Sequence, residues 1–121
     1  MIGIGIDTIE VQNFRKKKYT KTSRLLRGFF SEQEIRYCFA KKDPAQHLAA
    51  RFAAKEAVWK ALSGSKKIYM HLFTFLKLVE VRDDNDGTPN FIFSDTLKKH
   101  KALVSLTHTR SQATAVVLLQ K

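Results

Sequence analysis

Isoleucine and glycine alternate at the start of the chain, with Ile2, Ile4 and Ile6 separated by Gly3 and Gly5. A period of two belongs to a strand, so the chain should open as a short strand ending near Asp7. From 9 to 27 the apolar positions thin out. Ile9, Val11, Phe14, Leu25 and Leu26 stand among Arg15, Lys16, Lys17, Lys18, Lys21, Arg24 and Arg27. The spacing predicts one or two short basic helices, broken at Gly28. Ser31-Glu-Gln-Glu34 is a capping box, in which serine caps the third helical amide and Glu34 reaches back. It predicts a helix to about Lys42. Asp43-Pro44 restarts a helix, as an N-cap followed by proline at the first helical position. Nothing breaks the pattern before Leu62, seven alanines favour it, and Ser63-Gly-Ser65 closes it.

The second half changes period. Residues 72–82 are rich in Leu, Phe and Val and predict a strand, Asp83–Pro89 is a turn cluster, and Phe91-Ile-Phe93 is a returning strand. A small helix capped by Ser94 or Asp95 should run to His100. Residues 102–108 and 112–119 read as a β-hairpin. The expected order is β-α-α-α-β-β-α-β-β. The fold class is α+β, one long helix packed on a small, mostly antiparallel sheet, in a single domain over 1–121.

The long helix carries charges in unexpected places. Projected at about 100° per residue, Phe52, Trp59 and Leu62 fall within about 40° of Leu48, and these four define the expected buried stripe. Lys55 projects into its middle, Glu56 onto one edge with Lys60 a turn further, and Arg51 onto the other edge. Glu56 and Lys60 alone would be an ordinary surface pair at i,i+4. A lysine on the apolar stripe has to be paired or reach a cleft. Three cations and a carboxylate beside aromatics suit a pocket for a polyanion with a metal.

Composition adds one constraint. The hydrophobic share of 44% is that of a globular chain, and no apolar run approaches the length of a membrane span. One cysteine, Cys38, excludes an internal disulfide framework and a multi-cysteine zinc site. The N-terminal stretch lacks the features of a signal peptide, so the expected location is cytoplasmic. Twenty-two Lys and Arg against eleven Asp and Glu give a formal charge of +11. Such a field draws polyanions of every kind, and on composition alone a small basic nucleic-acid-binding module stands first.

The motifs move the reading elsewhere. Arg51-Phe-Ala-Ala-Lys-Glu-Ala-Val-Trp-Lys-Ala-Leu62 resembles the hallmark of the phosphopantetheinyl transferases: an aromatic, two residues, Lys-Glu-Ala, two residues, Lys. Gly5-Ile6-Asp7, followed by Glu10, matches a companion hallmark. Ser105-Leu-Thr-His-Thr109 resembles the Ser-hydrophobic-Ser/Thr-His segment before the last strand, and Gly87-Thr-Pro89 the family's Gly-Lys-Pro turn. The matches keep the family's order along the whole chain, at the length of its small single-domain branch, the holo-acyl-carrier-protein synthases. Two departures stand out. Ser63-Gly-Ser65 replaces a Gly-Thr-Gly-like turn, and Asn13 stands where an arginine often grips the carrier protein.

The resemblance implies transfer of the 4'-phosphopantetheine of coenzyme A to a serine of apo-acyl carrier protein, with release of 3',5'-ADP, in support of fatty acid biosynthesis. It assigns Asp7 and Glu56 to Mg2+. Glu56 is the preferred general base, acting directly or through a metal-bound water, and Lys60 stabilises or protonates the leaving phosphate. Arg51, Lys55 and His108, with Lys42, would hold coenzyme A phosphates. His108 is chosen over His47, His71 and His100 only for the motif around it. Carrier proteins are acidic, and Arg15, Lys16, Lys17 and Arg24 would dock one. The branch implies a homotrimer with active sites at subunit interfaces, without nucleic-acid or membrane partners. A nucleic-acid module would leave Asp7 and Glu56 unexplained. A non-catalytic carrier-binding relative would leave Asp7, Glu56 and Lys60 without a task.

Overall fold

The computed structural model describes residues 2–120. Its first strand, β1 (Gly3–Glu10), is longer than the Ile-Gly alternation predicts and carries Asp7 inside the strand. Two short helices follow, α1 (Gln12–Arg15) and α2 (Arg24–Phe29), the second running through Gly28 instead of stopping there. In α3 (Glu32–Phe39) the capping box forms as read, with Ser31 Oγ accepting from Glu34 N and Glu34 Oε1 from Ser31 N. The long helix α4 (Pro44–Gly64) begins at the proline, as expected, but Asp43 makes no side-chain capping bond and pairs with Arg15 instead. Ser65 Oγ bonds back to the Ala61 carbonyl at 2.7 Å, so this serine serves the helix end.

Residues 72–78 are not strand. The His71 ring accepts from Phe73 N and starts a single turn, α5 (Leu72–Phe75), continued by a 3-10 turn. This segment drops Phe75 and Leu76 into the core before β2 (Val79–Asp83) begins. Period-two reading fails here because both side chains point inward in succession, which a turn of helix allows. Antiparallel β3 (Pro89–Phe93) returns, and Gly87 at φ +86° permits the turn between them. A second 3-10 turn (Asp95–Leu97) replaces the small helix expected to His100.

The predicted final hairpin is present as β4 (Lys101–His108) and β5 (Gln112–Gln120). Strand β1 adds to its far side, giving a three-stranded antiparallel sheet in the order β1-β5-β4, apart from the two-stranded β2-β3. The architecture is α+β as expected, with two small sheets in place of one.

Helix α4 lies against the larger sheet through its alanines. Ala53, Ala57 and Ala61 are buried together with Ala115, Val117 and Leu119 of β5. The glycines of β1 make that approach possible. A Cβ on Gly5 would stand 1.9 Å from the Ala57 carbonyl oxygen, which nothing in a helix backbone can relieve. Strand β1 therefore turns Gly3, Gly5 and Asp7 toward α4 and leaves Ile4 and Ile6 each 60% exposed on the outer face. The four-residue stripe read from α4 is half right. Leu48 and Leu62 are buried, Phe52 and Trp59 only partly, and the alanines carry the sheet contact. A second cluster packs the first half of α4 against α1, α2 and α3 through Phe14, Leu26, Phe30, Ile35 and Cys38. No helix among the described residues is long and apolar enough to cross a membrane.

Candidate active site

Strand β1 and helix α4 meet at three charged side chains. Lys60 Nζ donates to Asp7 Oδ1 at 2.9 Å and to the Ile6 carbonyl at 3.3 Å. Glu56 Oε2 lies 4.0 Å from the same ammonium, one helical turn away. Asp7 is 8% exposed, and its second oxygen, Oδ2, is buried with no hydrogen-bond partner. A buried carboxylate oxygen left unmatched is costly, and such an oxygen suits a cation or a hydrogen-bond donor. Burial and the facing Asp7 raise Glu56 above the ordinary carboxylate range, against the pull of Lys60. The two carboxylates share one cation, and the chemistry of the set fits a divalent ion held by one or two carboxylates plus substrate oxygens and water. No cluster of three or more His, Cys, Asp or Glu suited to a metal is found among the described residues.

A second constellation lies further toward the start of α4. Arg51 is 3% exposed; its guanidinium stacks 3.8 Å above the Tyr37 ring and reaches Asp83 Oδ1 at 3.4 Å, and its Nε has no partner. A cavity of about 380 Å³ opens beside it, lined by Tyr37, His47, Arg51, Asp83, Gly87–Pro89 and β4 residues up to His108. The rings of His47 and His108 stand 5.8 Å apart at 63°. The Gly87-Thr-Pro89 turn and the Ser105–His108 segment, both singled out in the sequence, thus meet Arg51 at one cavity. Lys42 lies exposed between α3 and α4, while its neighbour Lys41 places Nζ 4.7 Å from the Tyr37 ring.

Lys55, expected to hold coenzyme A phosphates, does not line this cavity. It is fully buried, with Nζ 2.7 Å from Glu34 Oε1 and 2.8 Å from the Phe29 carbonyl. Glu34, 1% exposed, accepts from Val81 N through Oε2 at 2.7 Å. One ion pair therefore ties together α2, α3, α4 and β2. Burial pulls Lys55 below lysine's ordinary value while Glu34 pulls it back. Burial also pushes the Cys38 thiol up to about 12, in keeping with a packing role.

Of the basic residues assigned to docking, Arg15 is paired with Asp43 at 2.5 Å. Lys16, Lys17 and Arg24 are exposed and make no ion pair among the described residues. Nothing in the sequence marks Tyr37 or Asp83 at this cavity, and the sequence reading sets His47 aside in favour of His108. His47 was findable, because it precedes Arg51 by four residues on one helix and must share its face. Asp83 was not, since its partner lies 32 residues away.

Two carboxylates around one lysine, and a separate cationic cavity on another side of α4, suit the handling of phosphate groups. The family comparison makes this specific. Residues 3–117 match the family model described as the 4'-phosphopantetheinyl transferase superfamily. The chain belongs to that superfamily. It is 40% identical over 125 residues to a holo-[acyl-carrier-protein] synthase of Chlamydia trachomatis serovar L2, covering 99% of this chain and 100% of the relative. A holo-[acyl-carrier-protein] synthase of Thermodesulfovibrio yellowstonii is 37% identical, with 97% and 96% covered. The structure is similar to that of the Mycobacterium tuberculosis acyl carrier protein synthase, at TM-score 0.75 and 32% identity over 98% of this chain and 96% of that one. It is also similar to a Bacillus anthracis holo-(acyl-carrier-protein) synthase in complex with CoA (3',5'-ADP), at TM-score 0.73 and 31% identity over 98% and 95%. The basic nucleic-acid module finds no support in these likenesses.

Proposed function

We propose that this chain, acting as a single domain, transfers 4'-phosphopantetheine from coenzyme A to a serine of an apo-acyl carrier protein, releasing 3',5'-ADP. The observation that carries the reading is the Asp7–Glu56–Lys60 cluster with its unmatched, buried Asp7 Oδ2. Asp7 and Glu56 are the residues that would hold Mg2+. When bound, the ion neutralises charge on the pyrophosphate oxygens. Glu56 accepts the proton of the incoming serine hydroxyl, a task that suits a carboxylate whose basicity is raised by burial and by Asp7. Lys60, held in place by Asp7 and the Ile6 carbonyl, donates to the leaving phosphate as charge develops on it. Arg51 and His108 bind the nucleotide phosphates in the cavity beside Gly87-Thr-Pro89. Lys42 stands exposed nearby in sequence as a further cation.

The exposed Lys16, Lys17 and Arg24, with Arg15, steer an acidic carrier toward the site. Two features support a homotrimer with shared sites. The outer sheet face sets Ile4, Leu118 and Leu103 in one row and Ile6 beside Val116 in the next, an apolar surface of the kind that assembly covers. Arg51 and Glu56 are also about 140° apart around α4, so cavity and carboxylates open in different directions, as residues divided between neighbouring copies would. The expected location of such an enzyme is the cytoplasm.

The reading is tested by mass spectrometry of an apo-acyl carrier protein incubated with this protein, coenzyme A and Mg2+. A gain of one phosphopantetheine unit, abolished by chelator, is the expected result. An unchanged carrier mass, with no coenzyme A bound, would overturn it.

A further inference from the structure

Resting on the transferase reading, the cavity beside Arg51 assigns a role to a histidine that no motif marks. We propose that His47 is a phosphate-contacting residue of this cavity, closing on a phosphomonoester together with Arg51 and His108. His47 and Arg51 are one helical turn apart on α4, and both line the same cavity. Across it, the His108 ring comes from β4 to 5.8 Å from the His47 ring, and Tyr37 of α3 packs on its other side at 5.9 Å. Arg51 is nine-tenths buried and keeps an unpartnered Nε, so its donor capacity exceeds what Asp83 takes up. A dianionic phosphate monoester accepts several charged hydrogen bonds at once, which is what two imidazoles and a guanidinium around one cavity can donate.

The groups facing His47 are known from each element packed on it. Lys41 and Asp43 come from the link before α4, Arg51 from α4 itself, His108 from β4, and the Tyr37 phenol from α3. Asp83 of β2 also lines the cavity, where it is taken up by Arg51. Burial first, and then His108, Lys41 and Arg51, hold His47 below the ordinary histidine range, so it waits neutral at pH 7. An arriving dianion reverses that balance. It favours the imidazolium, and His47 takes one proton from solvent as the phosphate enters. In coenzyme A the 3'-phosphate is the one phosphomonoester, since the 5' phosphates form a pyrophosphate esterified at both ends. Its absence from dephospho-coenzyme A makes this contact a means of telling the two apart.

The test is calorimetric titration of 3',5'-ADP into the folded protein at pH 7, in two buffers of different ionisation enthalpy. Wild type should take up a fraction of a proton on binding. His47→Gln, which keeps a hydrogen-bonding side chain but cannot titrate, should bind about tenfold more weakly. Its proton uptake should fall, and it should bind 5'-AMP, which lacks the 3'-phosphate, as wild type does. His47→Phe, which keeps the ring contacts with Tyr37 and His108, should show the same pattern. Equal affinity and equal proton uptake in both variants would overturn the role of His47 while leaving the transferase reading intact. Failure of wild type to bind 3',5'-ADP at all would overturn both.

Discussion

Lys55 and Lys60 sit five residues apart on one helix, in one motif, and do opposite things. Lys55 is sealed between Glu34 and the Phe29 carbonyl, with every partner supplied by the protein. Lys60 is 44% exposed at its side chain, and the carboxylate it pairs with keeps a buried oxygen that faces only Glu56 and has no donor among the described residues. The first is a closed network and the second an open one. Closed networks fix a backbone arrangement, while open ones wait for a ligand. Adjacent positions 55 and 56 point about 100° apart on a helix. Anchoring Lys55 on α3 and α2 therefore sets the rotation of α4 that turns Glu56 toward β1.

The comparison is broken most sharply at the open end. Glu56→Gln removes the proposed base while keeping the shape of the side chain. Turnover of carrier protein should fall by about 10²–10⁴-fold, with 3',5'-ADP binding largely kept. Stopped-flow or mass-spectrometric rates decide it. A variant retaining a third or more of wild-type turnover would remove Glu56 from the chemistry.

At the closed end, stability should change first. Lys55→Met leaves Glu34 charged, buried and alone, which costs about 3–5 kcal/mol. The double variant Lys55→Met with Glu34→Gln removes both charges and keeps one amide oxygen as acceptor for either Ser31 N or Val81 N. It should recover more than half of that loss in urea unfolding, and with it most of the turnover. If the double variant unfolds normally yet binds 3',5'-ADP much more weakly, Lys55 touches the nucleotide after all.

Strand β1 holds Asp7 opposite Lys60 only because Gly5 lets it lie on α4. Gly5→Ala forces a Cβ into the Ala57 carbonyl oxygen. About 1–3 kcal/mol of stability should be lost, together with turnover, because the strand that carries Asp7 must lift. Gly28→Ala, whose Cβ meets nothing within 4 Å, is the control and should leave both near wild type.

What the sequence made legible follows the same division. The capping box, the Asp43-Pro44 start and the final hairpin depend on neighbours in sequence, and all three are present where they were read. Placing Lys55 on an apolar face required that it be paired or reach a cleft, and it is paired. Its partner, Glu34, had already been spent in the reading on the capping box. Nothing local says that one carboxylate can serve a cap, a buried lysine and a strand amide together. The turn at 72–75 was misread for a related reason. Its apolar residues pack against α4 and α2, a context that a period-two pattern does not contain. Gly3 and Gly5 were visible as alternation, but their use, to seat a strand on a helix with the isoleucines turned out, depends on the alanines of α4.

The smallest effect separates the two networks most cleanly, because it reverses with metal. Glu56 has a raised pKa in the folded protein, so its contribution to stability is fully present below its unfolded value and is lost as pH rises through the folded one. Above its folded pKa and without divalent ions, the ionised Glu56 facing Asp7 is therefore a burden that glutamine does not carry. Glu56→Gln should melt higher than wild type, on the order of 1–3 °C, since solvent and Lys60 screen the repulsion. Near pH 4 the two should converge. Adding Mg2+ at pH 7 should raise wild type and leave Glu56→Gln nearly unmoved, because a ligand stabilises only the form that binds it. Lys55→Met with Glu34→Gln should respond to Mg2+ as wild type does. A wild type indifferent to Mg2+ at every pH would mean that Asp7 Oδ2 waits for a donor from substrate or a neighbouring copy, and not for a metal.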